Sequence, residues 1–256
     1  MTKPRISVSV VSHGQMALVS QLMQDLSSHC LQTNFELILT LNVEEQISLD
    51  FSTLAYPVKL IRNVAPLGFG ANHNQAFTQS NADFFAVVNP DIRLSADPFQ
   101  HLLPFLGDPV LGLVAPLVLG ESGQIEDSAR RFPSLWMILS KLFGAPGVTD
   151  YPINKASPTP IYPDWVGGMF MVFPRSVFEK LGGFDESYFL YYEDVDICAR
   201  LKILGQRVAL VPSAQVVHVA QRSSHRSFKY LLWHVGSMTR FFLSPVCGQL
   251  RRLQSS

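Results

Sequence analysis

Over the first 120 residues, short apolar runs alternate with segments whose apolar side chains recur at helical spacing, and few folds admit that rhythm. Residues 6–11 alternate as a strand, 16–26 read as a helix, Phe35–Leu41 and 58–61 are short aliphatic runs, and 68–79 read as a second helix. Phe84–Val88 is an apolar run of the kind a strand shows when both faces are covered, and it stops at Asn89-Pro90-Asp91. Asp97-Pro98 has the form of an N-cap with proline at N1 and starts a helix toward Leu106, after which 111–119 is again strand-like. Parallel neighbours need a crossover long enough to hold a helix, so this order predicts an α/β fold, a mainly parallel central sheet flanked by helices.

Beyond Gly120 the pattern degrades. Six prolines fall between Pro133 and Pro163, with one expected helix near 135–143, and the stretch to Asp164 reads as a long, partly mobile insertion of the kind that serves as a lid over a site. Order resumes at 165–173, then a short helix over 175–181, the turn Gly182-Gly183-Phe184-Asp185, a helix over 193–204, two short strands at 208–211 and 216–219, and a closing helix over 228–242.

Composition narrows the class. Of the 256 residues 47 % are hydrophobic and 16 % charged, which excludes a disordered chain. Cys30, Cys198 and Cys247 are widely separated, so neither a disulfide framework nor a zinc knuckle is expected, and a reducing compartment suits them. The opening Met-Thr-Lys-Pro-Arg runs straight into a strand pattern without a signal-like apolar stretch, and no run is long and apolar enough to span a bilayer; the expected location is cytoplasmic. Net charge is zero but unevenly distributed. Nine Lys and Arg and no Asp or Glu follow Asp196, leaving eleven basic against twenty acidic side chains in the first 196 residues. A basic end suggests an anionic contact such as a diphosphate or the membrane's cytoplasmic face, where the tail would rest peripherally; its alternative is a helix packed on the core.

In open α/β sheets ligands sit outside the carboxyl ends of the strands. The residues there are Ser12-His13-Gly14, Asn42, Asn63, Asn89-Pro90-Asp91 and His218. Asp91 at a buried strand mouth suits a divalent cation bridging phosphates, or simply forms a turn after proline. Glu193, Asp194 and Asp196 open a helix, where the dipole favours carboxylates in any case, but the aromatic approach 184–192 would desolvate them and make a better base. His218 ends a strand and alone reads as a structural histidine.

Together, Gly183-Phe-Asp-Glu-Ser-Tyr-Phe-Leu-Tyr-Tyr-Glu-Asp-Val-Asp-Ile-Cys-Ala-Arg-Leu201, Gly205, Val211-Pro-Ser-Ala214 and Val217-His218 resemble the C-terminal half of rhamnosyltransferase-like family 2 glycosyltransferases. Asn63, Leu67-Gly68-Phe69-Gly70-Ala71-Asn72-His73-Asn74 and Asn89-Pro90-Asp91 resemble the N-terminal half, so the likeness spans about residues 6–224. It implies a GT-A fold over 1–224, with a nucleotide-sugar-binding half (1–119), an acceptor and catalytic half (120–224) and a basic C-terminal helix and tail (225–256). It also implies a dTDP- or UDP-linked sugar donor, Mg2+ or Mn2+, and a glycan or lipid-linked acceptor, as in cell-surface polysaccharide synthesis. Asp91 stands at the last position of the family's DxD motif and would ligate the metal with His218. Asp194 corresponds to the catalytic base, with Glu193 in reserve. Trp165-Val-Gly167-Gly168-Met169 matches the acceptor and sugar pocket. Ser12, His13, Asn42, Asn63, Gly68, Asn72, Asn89 and Arg222 are expected on the donor side.

The family's usual Thr-Tyr-Asn after the first strand and Asp-Asn-x-Ser after the second are here Ser12-His13-Gly14 and Leu41-Asn42-Val43-Glu44, so the acid expected near the ribose or base is missing. Three rivals stand beside this reading. A sugar-phosphate nucleotidyltransferase needs a glycine-rich basic loop after the first strand, which Ser12-His13-Gly14-Gln15 does not supply. A noncatalytic sugar-nucleotide-binding protein is favoured if the missing acid abolishes donor binding. A nucleic-acid binder lacks any accompanying recognition motif.

Overall fold

The computed structural model describes residues 5–47, 49–134, 151–219 and 228–255. The expected helix near 135–143, and Arg222, lie outside them. In chain order the elements are β1 (Ile6–Ser12), α1 (Met16–His29), β2 (Phe35–Leu41), β3 (Val58–Arg62), α2 (Phe69–Thr78), β4 (Phe84–Val88), β5 (Ile92–Arg93) and α3 (Pro98–Leu102). Then follow β6 (Leu111–Gly120), β7 (Ala129–Arg130), β8 (Trp165–Val166), β9 (Phe170–Pro174), α4 (Arg175–Leu181), α5 (Glu193–Ile203), β10 (Arg207–His218), α6 (Phe228–Leu243) and α7 (Pro245–Ser255).

Eight strands form one sheet in the order β3-β2-β1-β4-β9-β6-β10-β5. The pairs β3·β2, β2·β1, β1·β4 and β6·β10 are parallel, whereas β9 runs antiparallel between β4 and β6. Alternate residues of the inner strands feed two cores. On β4, Ala86 and Val88 join α1 and α3 on one face, while Phe85 and Val87 join α2, α4 and α5 on the other. This two-sided burial is why Phe84–Val88 carries no polar residue. The serines that do enter the sheet are satisfied: Ser7 Oγ donates to Glu36 at 2.7 Å, and Ser9 Oγ lies 2.8 Å from His73 Nδ1. At the far edge, Arg93 of β5 makes a forked pair with Asp25 of α1, at 2.7 and 2.8 Å.

Two expectations change. The strands expected at 208–211 and 216–219 are one strand, β10, whose register slips between Val211 and Gln215. Pro212 lacks the N–H a regular ladder needs, so the chain bulges there and resumes pairing with the same neighbour, β6. The C-terminal segment contains a second helix, α7. Ser244 Oγ accepts from the Cys247 N–H at 3.1 Å, and Pro245 follows as the first helical residue. Both described flanks of the proline-rich insertion are tied to the body. On the first flank the Glu126 N–H donates to the Val118 carbonyl at 3.0 Å, and on the second Ile161 exchanges backbone hydrogen bonds with Leu210 at 2.8 Å and Asp164 pairs with Lys202 at 2.7 Å.

α2 interlocks with the loop preceding α5. Asn74 accepts from the Phe184 N–H and donates to the Phe184 carbonyl, both at 2.9 Å. Gly68 and Gly70 let the two backbones meet: a Cβ on Gly68 would sit 2.8 Å from the Phe189 carbonyl oxygen, and one on Gly70 would sit 2.6 Å from Phe184 Cβ. Phe184 also stacks on Phe178 at 5.6 Å and cannot retreat into solvent. Gly70→Ala is therefore expected to cost about 1–3 kcal/mol through overpacking. An unchanged urea midpoint would show that this contact relaxes freely.

Candidate active site

The strand ends line up as the sequence pattern requires. Ser12, Asn42, Asn63 and Asn89 end or follow β1, β2, β3 and β4. Ser12 is buried, its Oγ accepting from the Gln15 N–H at 3.2 Å to hold the turn, while His13 is exposed with its Nδ1 3.2 Å from the Asn42 amide. Two of these asparagines join Asn72 of α2: Asn63 Nδ2 donates to Asn42 Oδ1 at 2.9 Å and to Asn72 Oδ1 at 2.7 Å. Asn42 and Asn72 also donate to the Leu67 carbonyl, at 2.9 and 3.1 Å. This buried amide network fixes the loop 63–68, and Gly68 at its end meets Phe189.

Asp91 and His218 do meet. β5 pairs antiparallel with the end of β10, Ile92 opposite His218, which places His218 Nε2 3.2 Å from Asp91 Oδ2. On the other side of the ring, Nδ1 lies 2.8 Å from Glu126 Oε2. The hydrogen bond to Asp91 leads in raising the His218 pKa to about 9; burial opposes it, and the charges of Asp91 and Glu126 reinforce it. Asp91 Oδ1 is buried and has no hydrogen-bond partner among the described residues. A carboxylate oxygen left so suits Mg2+ or Mn2+, and His218 Nε2 can join it only once it gives up the proton it shares with Asp91. Among the described residues no three His, Cys, Asp or Glu form a closed cage. For Mg2+ one or two carboxylates, with substrate phosphates and waters completing the shell, is the common arrangement.

Asp194 is tied through one backbone segment to the end of β4, two residues before Asp91. The Asn89 N–H donates to the Met169 carbonyl at 2.9 Å, and the neighbouring Gly168 N–H donates to Asp194 Oδ2 at 3.1 Å. A Cβ on Gly168 would sit 3.2 Å from the Phe69 ring, so this strip lies close against α2. Burial raises the Asp194 pKa, opposed by the Val195 and Gly168 N–H groups and by the charge of Arg130. Glu193 is buried, its Oε2 unpartnered among the described residues; burial and then the Asp194 charge push its pKa well above the ordinary value. Of the two, Asp194 retains exposed surface. Trp165 anchors the same strip through its Nε1–H to the Arg131 carbonyl at 2.8 Å, and Gly167 donates to the Ser128 carbonyl at 2.8 Å. Just before α5, Tyr191 and Tyr192 hold left-handed φ values of 69° and 67°, strain of the kind that collects at functional sites.

Three residues were not singled out from sequence. Glu126 is delivered by its backbone bond to Val118 and has no sequence signal beyond following a strand. Arg130 comes opposite Trp165 through the β7·β8 pairing. Glu45 Oε1 accepts from the Gly14 N–H at 3.3 Å, and its Oε2 is buried without a partner among the described residues, so a carboxylate does lie beside the first strand's mouth, one position past the expected stretch.

The chain matches the family described as glycosyltransferase-like family 2 over residues 4–232. It is 28 % identical over 255 residues to rhamnosyltransferase WbbL of Escherichia coli K12, covering 92 % of each chain. To the N-acetylglucosaminyl-diphospho-decaprenol L-rhamnosyltransferase of Mycobacterium tuberculosis H37Rv it is 32 % identical over 190 residues, 67 % of this chain and 62 % of that one. Among solved structures it superposes on S. aureus TarS 1-349 in complex with UDP-GlcNAc, with a TM-score of 0.66 at 12 % identity, covering 94 % and 67 % of the two chains. GalNAc-T7 with UDP, GalNAc and Mn2+ gives 0.63 at 15 %, covering 85 % of this chain and 43 % of that one. The fold is GT-A, and the protein belongs to glycosyltransferase family 2.

The raised Glu193 pKa has a testable sign. The folded chain holds this proton to higher pH than the unfolded chain, whose Glu titrates near about 4.3, so stability is lost as pH rises from there through the folded value. Glu193→Gln removes the loss. The variant is expected to melt above wild type at neutral pH, the gap closing toward about pH 4. A lower melting temperature at neutral pH would show that the carboxylate stabilises the fold.

Proposed function

We propose that the protein transfers a sugar, a deoxyhexose such as rhamnose, from a dTDP- or UDP-linked donor to a hydroxyl of a glycan or lipid-linked acceptor, with inversion at the anomeric carbon. The observation that carries the reading is Asp194 itself: a desolvated carboxylate oriented by the Gly168 N–H, on the strip whose Met169 carbonyl binds the strand end that leads to Asp91. The names of the E. coli and mycobacterial relatives support rhamnose and a lipid-linked diphosphate acceptor. Synthesis of a surface polysaccharide such as O-antigen or lipopolysaccharide, on the cytoplasmic side of the membrane and with peripheral contact through the basic C-terminal segment, fits those substrates.

In this mechanism the acceptor oxygen attacks the anomeric carbon as the bond from that carbon to the diphosphate oxygen breaks, and Asp194 takes the hydroxyl proton. Its raised pKa makes it a stronger base than an ordinary aspartate, and its hydrogen bonds from Gly168 and Val195 fix the accepting oxygens. Asp91 and His218 would hold Mg2+ or Mn2+, which when bound would supply charge stabilisation to the departing diphosphate. Glu126 fixes the His218 ring so that Nε2 faces Asp91. Glu45 takes the place of the missing acid and faces the nucleoside. The amide network of Asn42, Asn63 and Asn72 holds the donor-side loop in one shape.

Asp194→Asn is expected to lower kcat by about 10²–10⁴-fold while donor affinity persists. Most of the turnover surviving, or passing instead to dependence on Glu193, would remove Asp194 from this role. Calorimetry with the nucleoside diphosphate and Mn2+ is expected to show weakened binding in Asp91→Ala and His218→Ala, and in Glu45→Gln irrespective of metal. Unchanged affinity in the first two variants would dissociate the cation from this pair.

A further inference from the structure

α6 is apolar on two sides. Its inner side meets the loop that leads into Asp194: Ser237 Oγ donates to the Leu190 carbonyl at 2.8 Å, and the Trp233 ring lies 4.7 Å from that of Phe189. Phe241, fully buried, stacks on Tyr192 at 5.7 Å. The outer side presents Phe228, Leu231, Leu232, Val235 and Leu243, exposed by 73, 56, 55, 44 and 81 %. At 3.6 residues per turn these five fall on one face, continuous from Phe228 to Val235 and, past the exposed Thr239, ending at Leu243. Lys229 and Arg240, both exposed, fall together along one edge of it. α7 adds Leu253, 51 % exposed, beside the exposed Arg251 and Arg252. No Asp or Glu occurs after Asp196.

We propose that this outer stripe lies in the surface of an anionic bilayer, with Lys229 and Arg240 at the headgroups. Charge decides between the partners such a face can take. Two copies packed through the stripe would bring basic edges together with no carboxylate on either helix to offset them, whereas anionic headgroups complement them. No helix of the described residues is long and apolar enough to cross a membrane, so the helix lies in the plane of the interface. Docking in this way leaves the loop 188–192 one helix diameter, about 10–12 Å, above the lipid. A headgroup-linked hydroxyl then approaches Asp194 from the bilayer side; this last step rests on the reaction proposed above, but the docking does not.

Co-sedimentation of the full chain tests it, using phosphatidylcholine vesicles with and without phosphatidylglycerol. Pelleting is expected with the anionic vesicles, weakened by salt and reduced about tenfold or more in Lys229→Gln/Arg240→Gln. It is expected to disappear in Leu231→Ser/Leu232→Ser/Val235→Ser. Because three changes in one helix can disturb folding, a second variant reads the same contact: Leu232→Cys labelled with a polarity-sensitive fluorophore, the native Cys30, Cys198 and Cys247 being buried. Its emission is expected to shift to the blue only with anionic vesicles. Absence of pelleting, pelleting retained by the folded triple variant, or a silent fluorophore on pelleted protein overturns the proposal. So does a vesicle-independent dimer that the triple variant abolishes. Pelleting is read without turnover, so intact docking in a protein that transfers no sugar would overturn the reaction and leave the surface standing.

Discussion

The antiparallel passage of β9 between β4 and β6 holds the chemistry together. A parallel sheet places the ends of its strands at one edge, but the carboxylates of this site come from distant parts of the chain and need a physical tie. The strip 167–169, entering β9, supplies it: the Met169 carbonyl takes the Asn89 N–H while the Gly168 N–H turns toward Asp194. If β9 were displaced by one residue relative to β4, its side chains would exchange faces, moving Phe173 out of the aromatic cluster around Phe178. Packing on one face of the sheet thus fixes the polar geometry at its end.

The site concentrates unfavourable features that the rest of the molecule compensates. Two adjacent carboxylates with raised pKa values follow two tyrosines in left-handed conformations, each costing on the order of 1–3 kcal/mol. Tyr191 and Tyr192 meet the His234 ring edge-on at 5.3 and 5.6 Å, so α6 clamps the strained turn from outside, while Gly68 meets Phe189 just before it and Asn74 holds Phe184 at the start of the same loop. The family motifs in 67–74 and 183–190 owe much of their composition to this clamp.

Periodicity made most of the strands and helices legible, because side-chain alternation and helical spacing are local properties. The single β10 was not, since joining 208–211 to 216–218 depends on a neighbour, β6, ninety-odd residues away. α7 had a local signal in Ser244-Pro245 but little apolar content to mark it. At the site, Asp91, His218 and Asp194 were legible as motif residues, and the contact of the first two follows from β5 pairing with β10. Glu126, Glu45 and Arg130 were not, because only the fold brings them beside their partners. The asparagines and Gly68, read as donor contacts, are seen to bind mainly one another and the chain around them.

The fork between Arg93 and Asp25 looks like a peripheral ion pair, yet Asp25 also accepts from the Leu94 N–H at 2.9 Å and so grips the backbone just past β5. With two residues, β5 has too few ladder bonds to choose its own alignment. Helix α1 makes the choice for it from across the sheet, and the spacing of Asp91 from His218 is inherited from that grip. Drift in sequence on an outlying helix thereby becomes a means of tuning the proposed metal pair without altering any residue that touches it.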